Sequence, residues 1–471
     1  MNPNPKDPQL FELFCGAIEC ALGYVRLAET KNYIGSYDNW PELKPPYNGM
    51  PHISRFGTGP RNYAGVINEL FGMRAGESAA NWLKEPQLIA LVEYAKVHPR
   101  LKEYFHYEER PDVIRIRLVE VVADILDRYV HANKIYALDR DKLTPIYLPI
   151  ETFILNKVLP FTAVVPILCL KFEPQNFRID EGIWVEELSD EFQLSRGWRP
   201  CGPSDNSDLE DAATHGLFIS DCSIENVSYL NQVGVMELDS YPVQLIDTFF
   251  AAIRIATGYD TGNAQILALP VGWASSYVAN LTPILGPNVE HYPPFFKQGY
   301  WLHSDLPNVT SDDSTKIGHT FQKLQKALAT LHSRRIRLAI QRLNLSSLRT
   351  TEEDGVLDAM IAMEALLSDD SKEMTHKVAM RLGGLYKIAD RSRSRQAFKE
   401  LKRIYEFRSK IVHGAANLDP NRELTRDGEK IRTIDAAIDH LRAALGVLIE
   451  NPILLDPTKI DDFLLTDTLE A

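Results

Sequence analysis

Apolar residues recur at helical spacing through the first hundred positions, at Phe11, Phe14, Cys15, Ile18, Leu22 and Val25 and again at Leu88, Leu91, Val92 and Tyr94. That spacing predicts amphipathic helices. Between them Tyr37 to Arg61 holds five prolines and three glycines and reads as a long loop. From about Pro145 the pattern turns to strands. Val164 to Phe172 is rich in branched residues, Phe177 to Glu187 is a candidate strand with a turn at Asp180, Glu181 and Gly182, and Gly216 to Ile224 alternates polar with apolar positions. Val243 to Ala256 returns to helical spacing, and Asn263 to Trp273 reads as a further strand.

The polar stretch Ser304 to Thr315 is the best linker, and beyond it the pattern is helical throughout. Phe321, Leu324, Leu328, Leu331, Ile336 and Ile340 mark one helix. Thr351 to Asp354 offers a capping-box-like start for Val356, Met360, Met363, Leu366 and Leu367. Val378, Leu382 and Leu385 mark a third. Phe398, Leu401, Ile404, Tyr405, Ile411 and Val412 form a fourth stripe closed by Gly414, and Ile434, Ile438, Leu441 and Leu445 a fifth. The predicted fold class is α+β, with a helical region over 1–110, a mixed α/β region over 111–303 and an all-α bundle over 317–455.

Charge separates these parts. Of the 51 basic and 64 acidic side chains, residues 315–455 carry 25 and 18, about +7, which leaves about −20 for the rest of a chain whose total is −13. A nucleic-acid partner must therefore be held locally, on the helical domain. Arginines cluster there at Arg334, Arg335 and Arg337 and at Arg391, Arg393 and Arg395, with Lys402 and Arg403 close in sequence. They serve either as an ordinary solvated helix face or, if they converge on one groove, as a phosphate-binding surface. Cys15, Cys20, Cys169, Cys201 and Cys222 show no regular spacing and fit reduced thiols. The start lacks the pattern of a secretion signal, and the longest apolar run, Val158 to Leu170, is too short for a bilayer. A cytoplasmic protein without a membrane partner is expected.

Phosphate loops, nucleophile elbows and zinc-ligand spacings are missing from the sequence, and neither a metal nor a cofactor is expected. One segment stands apart, YEFRSKIVHG over 405–414, where Arg408 and His413 lie five residues apart at the end of an amphipathic helix. RNA can be cut without a metal if one group moves the proton of a 2′-hydroxyl and another neutralises charge on the phosphate. Histidine suits the first task and arginine the second. On an ideal helix five residues put the two side chains about 140° apart, so they converge only if the helix unwinds at Gly414 or a second subunit completes the site. In a purely structural reading His413 meets the helix carbonyls and Arg408 pairs with Glu400 or Glu406.

Tyr405, Arg408, His413 and Gly414 in this spacing resemble the RxxxxH signature of HEPN domains, and the Ile-Val-His-Gly ending is similar to the ApeA-like branch of that superfamily. RLAIQRLNL over 337–345, Glu353, Asp354 and DAMIAMEALLSDD over 358–370 resemble the two helices that precede the motif in that branch. Fainter similarity extends upstream to residues 166–192. The resemblance covers about residues 317–455 and implies a metal-independent endoribonuclease with Arg408 and His413 as the catalytic pair. It implies support from Ser409 and Tyr405, and Asp354 and Glu364 as acids that could orient Arg408, against a helix cap for Asp354 and a solvated face for Glu364. It also implies a homodimer with the motifs facing a shared cleft, and an antiviral or toxin-like effector whose N-terminal region meets a sensed or regulatory partner. The competing expectations are a non-catalytic HEPN module that binds RNA, dimerises or docks a partner, and a regulator whose acidic N-terminal part holds the basic domain shut.

Overall fold

The computed structural model describes residues 4–71, 85–105, 111–198, 207–228, 234–299, 302, 305–369, 374–414, 418 and 422–468; Cys201 lies outside them. In chain order the elements that matter here are α1 (Pro8–Thr30), β1 (Trp40–Tyr47), β2 (Met50–Gly57), α2 (Tyr63–Phe71), α3 (Pro86–Val97), α4 (Pro111–Asn133), α5 (Arg140–Leu155), β3 (Val158–Pro166), β4 (Asn176–Asp180), β5 (Ile183–Glu187), β6 (His215–Glu225), α6 (Val243–Thr257) and β7 (Leu267–Pro270). There follow α7 (Ser311–Leu328), α8 (Ser333–Leu348), α9 (Glu352–Leu367), α10 (Met374–Ala389), α11 (Ser394–Val412), β8 (Glu423–Arg426), β9 (Glu429–Arg432), α12 (Thr433–Glu450) and α13 (Pro457–Thr466). The molecule is mixed α/β, with helices and small sheets leading into a helical C-terminal part. No helix among the described residues is long and apolar enough to cross a membrane.

Contacts divide the chain into two compact units, one of residues 1–165, 188–241 and 265–288, the other of 166–187, 242–264 and 289–471. In the first, α4 supplies Leu118, Val122, Ile125, Leu126 and Tyr129 to the core. On the same helix the buried Asp127 accepts hydrogen bonds from the Tyr63 and Ala279 backbone N–H groups and the Tyr37 hydroxyl. Strand β3 lies between β6 and β7 and pairs antiparallel with β7 through Val164 and Leu267.

Three expectations fail along this part of the chain. Tyr37 to Arg61 is not a loop throughout, because β1 and β2 form an antiparallel hairpin closed between Tyr47 and Met50. Asn48 and Gly49 both take left-handed φ, 52° and 79°, as a two-residue hairpin turn requires, and the prolines are tolerated because each strand of a two-stranded ribbon has a free edge. Nor do strands begin at Pro145. Helix α5 runs through Pro145 and Pro149. Its buried stripe of Leu143, Ile146, Tyr147, Ile150, Phe153 and Ile154, worth roughly 1.5–3 kcal/mol per large apolar side chain, outweighs the cost of about 3 kcal/mol for each interior proline. The strand expected over Val164 to Phe172 stops at Pro166, with only Lys171 and Phe172 extended again.

In the second unit β4 and β5 form the hairpin that the Asp180–Gly182 turn suggested. Helix α7 begins inside the expected linker, where Thr310 and Asp313 make a reciprocal capping box. The stripe from Phe321 to Ile340 is two helices rather than one, since the chain breaks after Leu328 and Leu331 is fully exposed in the turn. Thr351 caps α9 by accepting from the Asp354 N–H. The bundle also exceeds the five expected helices: α13 packs on α10, where Leu464 and Ile460 lie against Gly384, and the β8–β9 hairpin separates α11 from α12.

That hairpin is tied to α11 by a buried carboxylate. Glu400, 4% exposed, accepts from Arg426 of β8 and from Nε2 of His440 on α12, whose Nδ1 lies 3.0 Å from the Tyr386 hydroxyl. Burial alone would raise the Glu400 carboxyl, but the hydrogen bonds from His440 and Arg426 overcome it and bring it down to about 2. Burial lowers His440, which stays neutral. Both groups bind protons more readily when unfolded, so their contribution is complete above pH 6.5, shrinks as the unfolded imidazole charges, and shrinks again from about 4.5 towards 2. Denaturant unfolding across that range will show stability falling with acid, and Glu400→Ala will cost about 3 kcal/mol at neutral pH and flatten the limb below pH 4.5.

Candidate active site

Helix α11 carries the Arg408 and His413 pair because its buried face, Ala397, Leu401, Ile404, Tyr405 and Phe407, packs into the bundle. Its last residue is Val412. His413 is the C-cap, at φ −90° and ψ 7°, and Gly414 follows at φ 63°, the left-handed position that glycine accommodates. The His413 backbone N–H donates to the Ser409 carbonyl at 3.0 Å, and its imidazole is exposed. The helix therefore stays wound to the residue before the histidine. The ideal separation of about 140° between Arg408 and His413 persists within one chain.

Arg408 is 34% exposed and is held from below. Its guanidinium lies 3.8 Å from Oε1 of Glu364, on α9, and the same oxygen accepts the Tyr405 hydroxyl at 2.8 Å. Burial, and then the Glu364 carboxylate, push the Tyr405 phenol well above its usual range, so it remains a donor at any working pH. Tyr405 and Arg408 are three apart on α11 and reach one carboxylate together. Neither acid paired with Arg408 in the purely structural reading does so here, as Glu364 is its partner and Glu400 belongs to the buried His440 and Arg426 network.

The other candidates divide. Ser409 is exposed beside Arg408. Asp354 is occupied with the α9 cap, where the Thr351 hydroxyl donates to its Oδ2 at 2.8 Å. Arg395 is 13 residues before Arg408 on α11, about 20 Å along the axis, and Arg391 and Arg393 precede it. Arg391 pairs with Asp467, Arg393 lies 5.6 Å over the Tyr386 ring, and Lys402 lies 5.7 Å over Phe398, while Arg403 is exposed. Arg334 and Arg337 are exposed and Arg335 half-buried in the first turns of α8.

Sequence reasoning missed a second acid on α9. Asp358 is buried and pairs with both Arg342 of α8 and Arg349, the residue that follows α8, the latter through Nε at 2.6 Å. A lone Asp inside an apolar stripe and two arginines seven apart were the available signals. Gly355 of α9 lies against the Ser346 carbonyl, which together with the Arg342 to Asp358 pair fixes α8 and α9 as antiparallel. In that register Ile336 is level with Glu364, so Arg335 and Arg337 reach the same end of the bundle as Arg408. No family model, curated protein or solved structure matches this chain.

Glu364→Ala removes an acceptor from Tyr405 and a counter-charge from Arg408. Equilibrium unfolding will show a loss of about 1–2 kcal/mol, and Tyr405→Phe in the Glu364→Ala background will add little, because both changes remove one hydrogen bond.

Proposed function

We propose that the chain is a metal-independent endoribonuclease of the HEPN type, with Arg408 and His413 as its catalytic pair. The observation that carries this reading is the seating of Arg408 on Glu364, five residues before an exposed histidine at a helix end, in the basic part of an acidic protein. A neutral His413 takes the proton of a 2′-hydroxyl, whose oxygen attacks the neighbouring phosphorus. The bond from phosphorus to the 5′-oxygen breaks, that oxygen receives a proton, and a cyclic phosphate remains. The fixed guanidinium of Arg408 neutralises charge building on the phosphate oxygens. Tyr405 and Glu364 act through Arg408 as positioning residues, and Ser409 lies within one turn of both.

The separation around the helix supports a homodimer in which each cleft takes its arginine from one chain and its histidine from the other. The exposed Val412 beside Arg408 supports an apolar contact between chains close to the arginine that would meet the phosphate. Within this reading the protein is an effector of an antiviral or toxin-like system, and its acidic N-terminal region receives the regulatory signal. A non-catalytic HEPN module that only binds RNA or a partner is the second reading, favoured by the 34% exposure and the long 3.8 Å ion pair that leave Arg408 suited to binding alone.

End-labelled RNA incubated in EDTA will be cut by the wild-type chain, and Arg408→Ala or His413→Ala will lower the rate at least about 100-fold. Equal cutting by all three, or dependence on magnesium, overturns the assignment. Mixing the two variants will restore part of the activity if the cleft is shared, and no recovery from a demonstrated mixed dimer contradicts sharing.

A further inference from the structure

Helix α9 presents one face to solvent, and its two edges are built alike. Leu357, Ile361, Glu364, Ala365 and Ser368 are partly exposed, whereas Met360, Ala362, Met363, Leu366 and Leu367 are buried. Asp358 and Glu364 lie about 120° apart around the helix, on either side of the exposed strip. Asp358 holds Arg342 of α8 and Arg349 just past its C-terminus on one side, and Glu364 lies 3.8 Å from Arg408 of α11 on the other. The strip is thus a shallow groove with α8 and α11 as its walls, an apolar floor and guanidiniums on both rims.

Arg335 and Arg342 are seven apart and form one stripe along α8, and Arg349, the residue just past its C-terminus, shares Asp358 with Arg342, so Arg335 continues the rim to the level of Glu364. All three remain partly exposed, Arg342 at 29% and Arg349 at 39%, although one buried carboxylate holds the last two. Two guanidiniums on one acid leave a positive charge unneutralised and restrict the motion of both arginines. At the far end the acids of the first turn, Glu352, Glu353 and Asp354, close the groove, with Glu352 and Glu353 paired to Arg422.

We propose that this groove is the track for a single-stranded RNA backbone, with Arg335, Arg342 and Arg349 holding phosphates on one wall and Arg408 receiving the strand on the other. The inference rests on the ribonuclease reading and names how its substrate lies. A single strand fits because its bases can rest on Leu357, Ile361 and Ala365 while phosphates meet the rims. From Leu357 to Ser368 the floor extends about 17 Å, enough for a few nucleotides. The track leads to the end of α11 where His413 stands. It passes neither Arg391, Arg393 nor Arg395.

The test uses full-length His413→Ala protein and a fluorescein-labelled oligouridine, with binding followed by anisotropy over a salt series. Arg335→Gln, which leaves Asp358 and its partners untouched, should weaken binding at least threefold and flatten the plot of log K against log salt by about 0.7. Arg335→Gln with Arg342→Gln should weaken it at least tenfold and roughly double that change in slope, with circular dichroism confirming the fold. The triple variant Arg391→Gln, Arg393→Gln, Arg395→Gln should bind within twofold of the parent. Unchanged binding by Arg335→Gln, or a loss confined to the triple variant, overturns the track while leaving the nuclease reading intact. RNA bound on this track by a wild-type chain that never cuts it sustains the track and removes the nuclease. Failure of the parent protein to bind RNA overturns both.

Discussion

The site depends on one carboxylate shared by two side chains. An arginine at the end of a surface helix has many rotamers, and an unfixed guanidinium would lose part of its value to a transition state through the entropy of being ordered. Glu364 limits that freedom by setting a carboxylate 3.8 Å from Arg408 on a neighbouring helix while accepting from the Tyr405 hydroxyl one turn earlier. Burial, and then the neighbouring carboxylate, keep the Tyr405 phenol protonated. The catalytic proposal, the placing of the RNA strand and the orientation of α11 against α9 all rest on this contact.

A second constraint sets where α11 lies. Glu400 is buried yet ionised because Arg426 and His440 satisfy it, and so the hairpin after the motif and helix α12 are fastened to the middle of α11. Breaking a buried pair of this kind costs far more than an exposed one, since the partner left behind keeps its desolvation cost without its compensation. Arg408 sits two turns further along the same helix, at the surface, where its 3.8 Å ion pair with Glu364 contributes orientation more than stability.

Contacts between neighbours in sequence leave a legible signal, and contacts between distant helices do not. Thr351 and Asp354 announced the start of α9 because a cap is a contact between neighbours in sequence, and the Asp180–Gly182 turn announced a hairpin for the same reason. Asn48-Gly49 carried an equally local signal, outweighed by a count of prolines that takes no account of free strand edges. Pro145 and Pro149 suggested the end of a helix that six buried apolar side chains nevertheless keep intact. In the site, the spacing of Arg408 and His413 was visible and the resemblance offered Glu364 as an acid for Arg408, which lies 3.8 Å from it, but the pairings of Asp358 and Glu400 depend on which helix lies beside which. Charged side chains in a sequence resemble solvated ones until packing brings their partners together.

The central claim is that a 2′-hydroxyl is the nucleophile and that Arg408 and His413 serve its attack, and the chemistry of the product ends reports on it most directly. Mass spectrometry of the fragments from a defined RNA should find 2′,3′-cyclic phosphates opposite 5′-hydroxyls, and a single 2′-deoxy substitution at the cut position should abolish cleavage there. Fragments ending in 3′-hydroxyls and 5′-phosphates, or undiminished cutting at the 2′-deoxy position, would contradict the account.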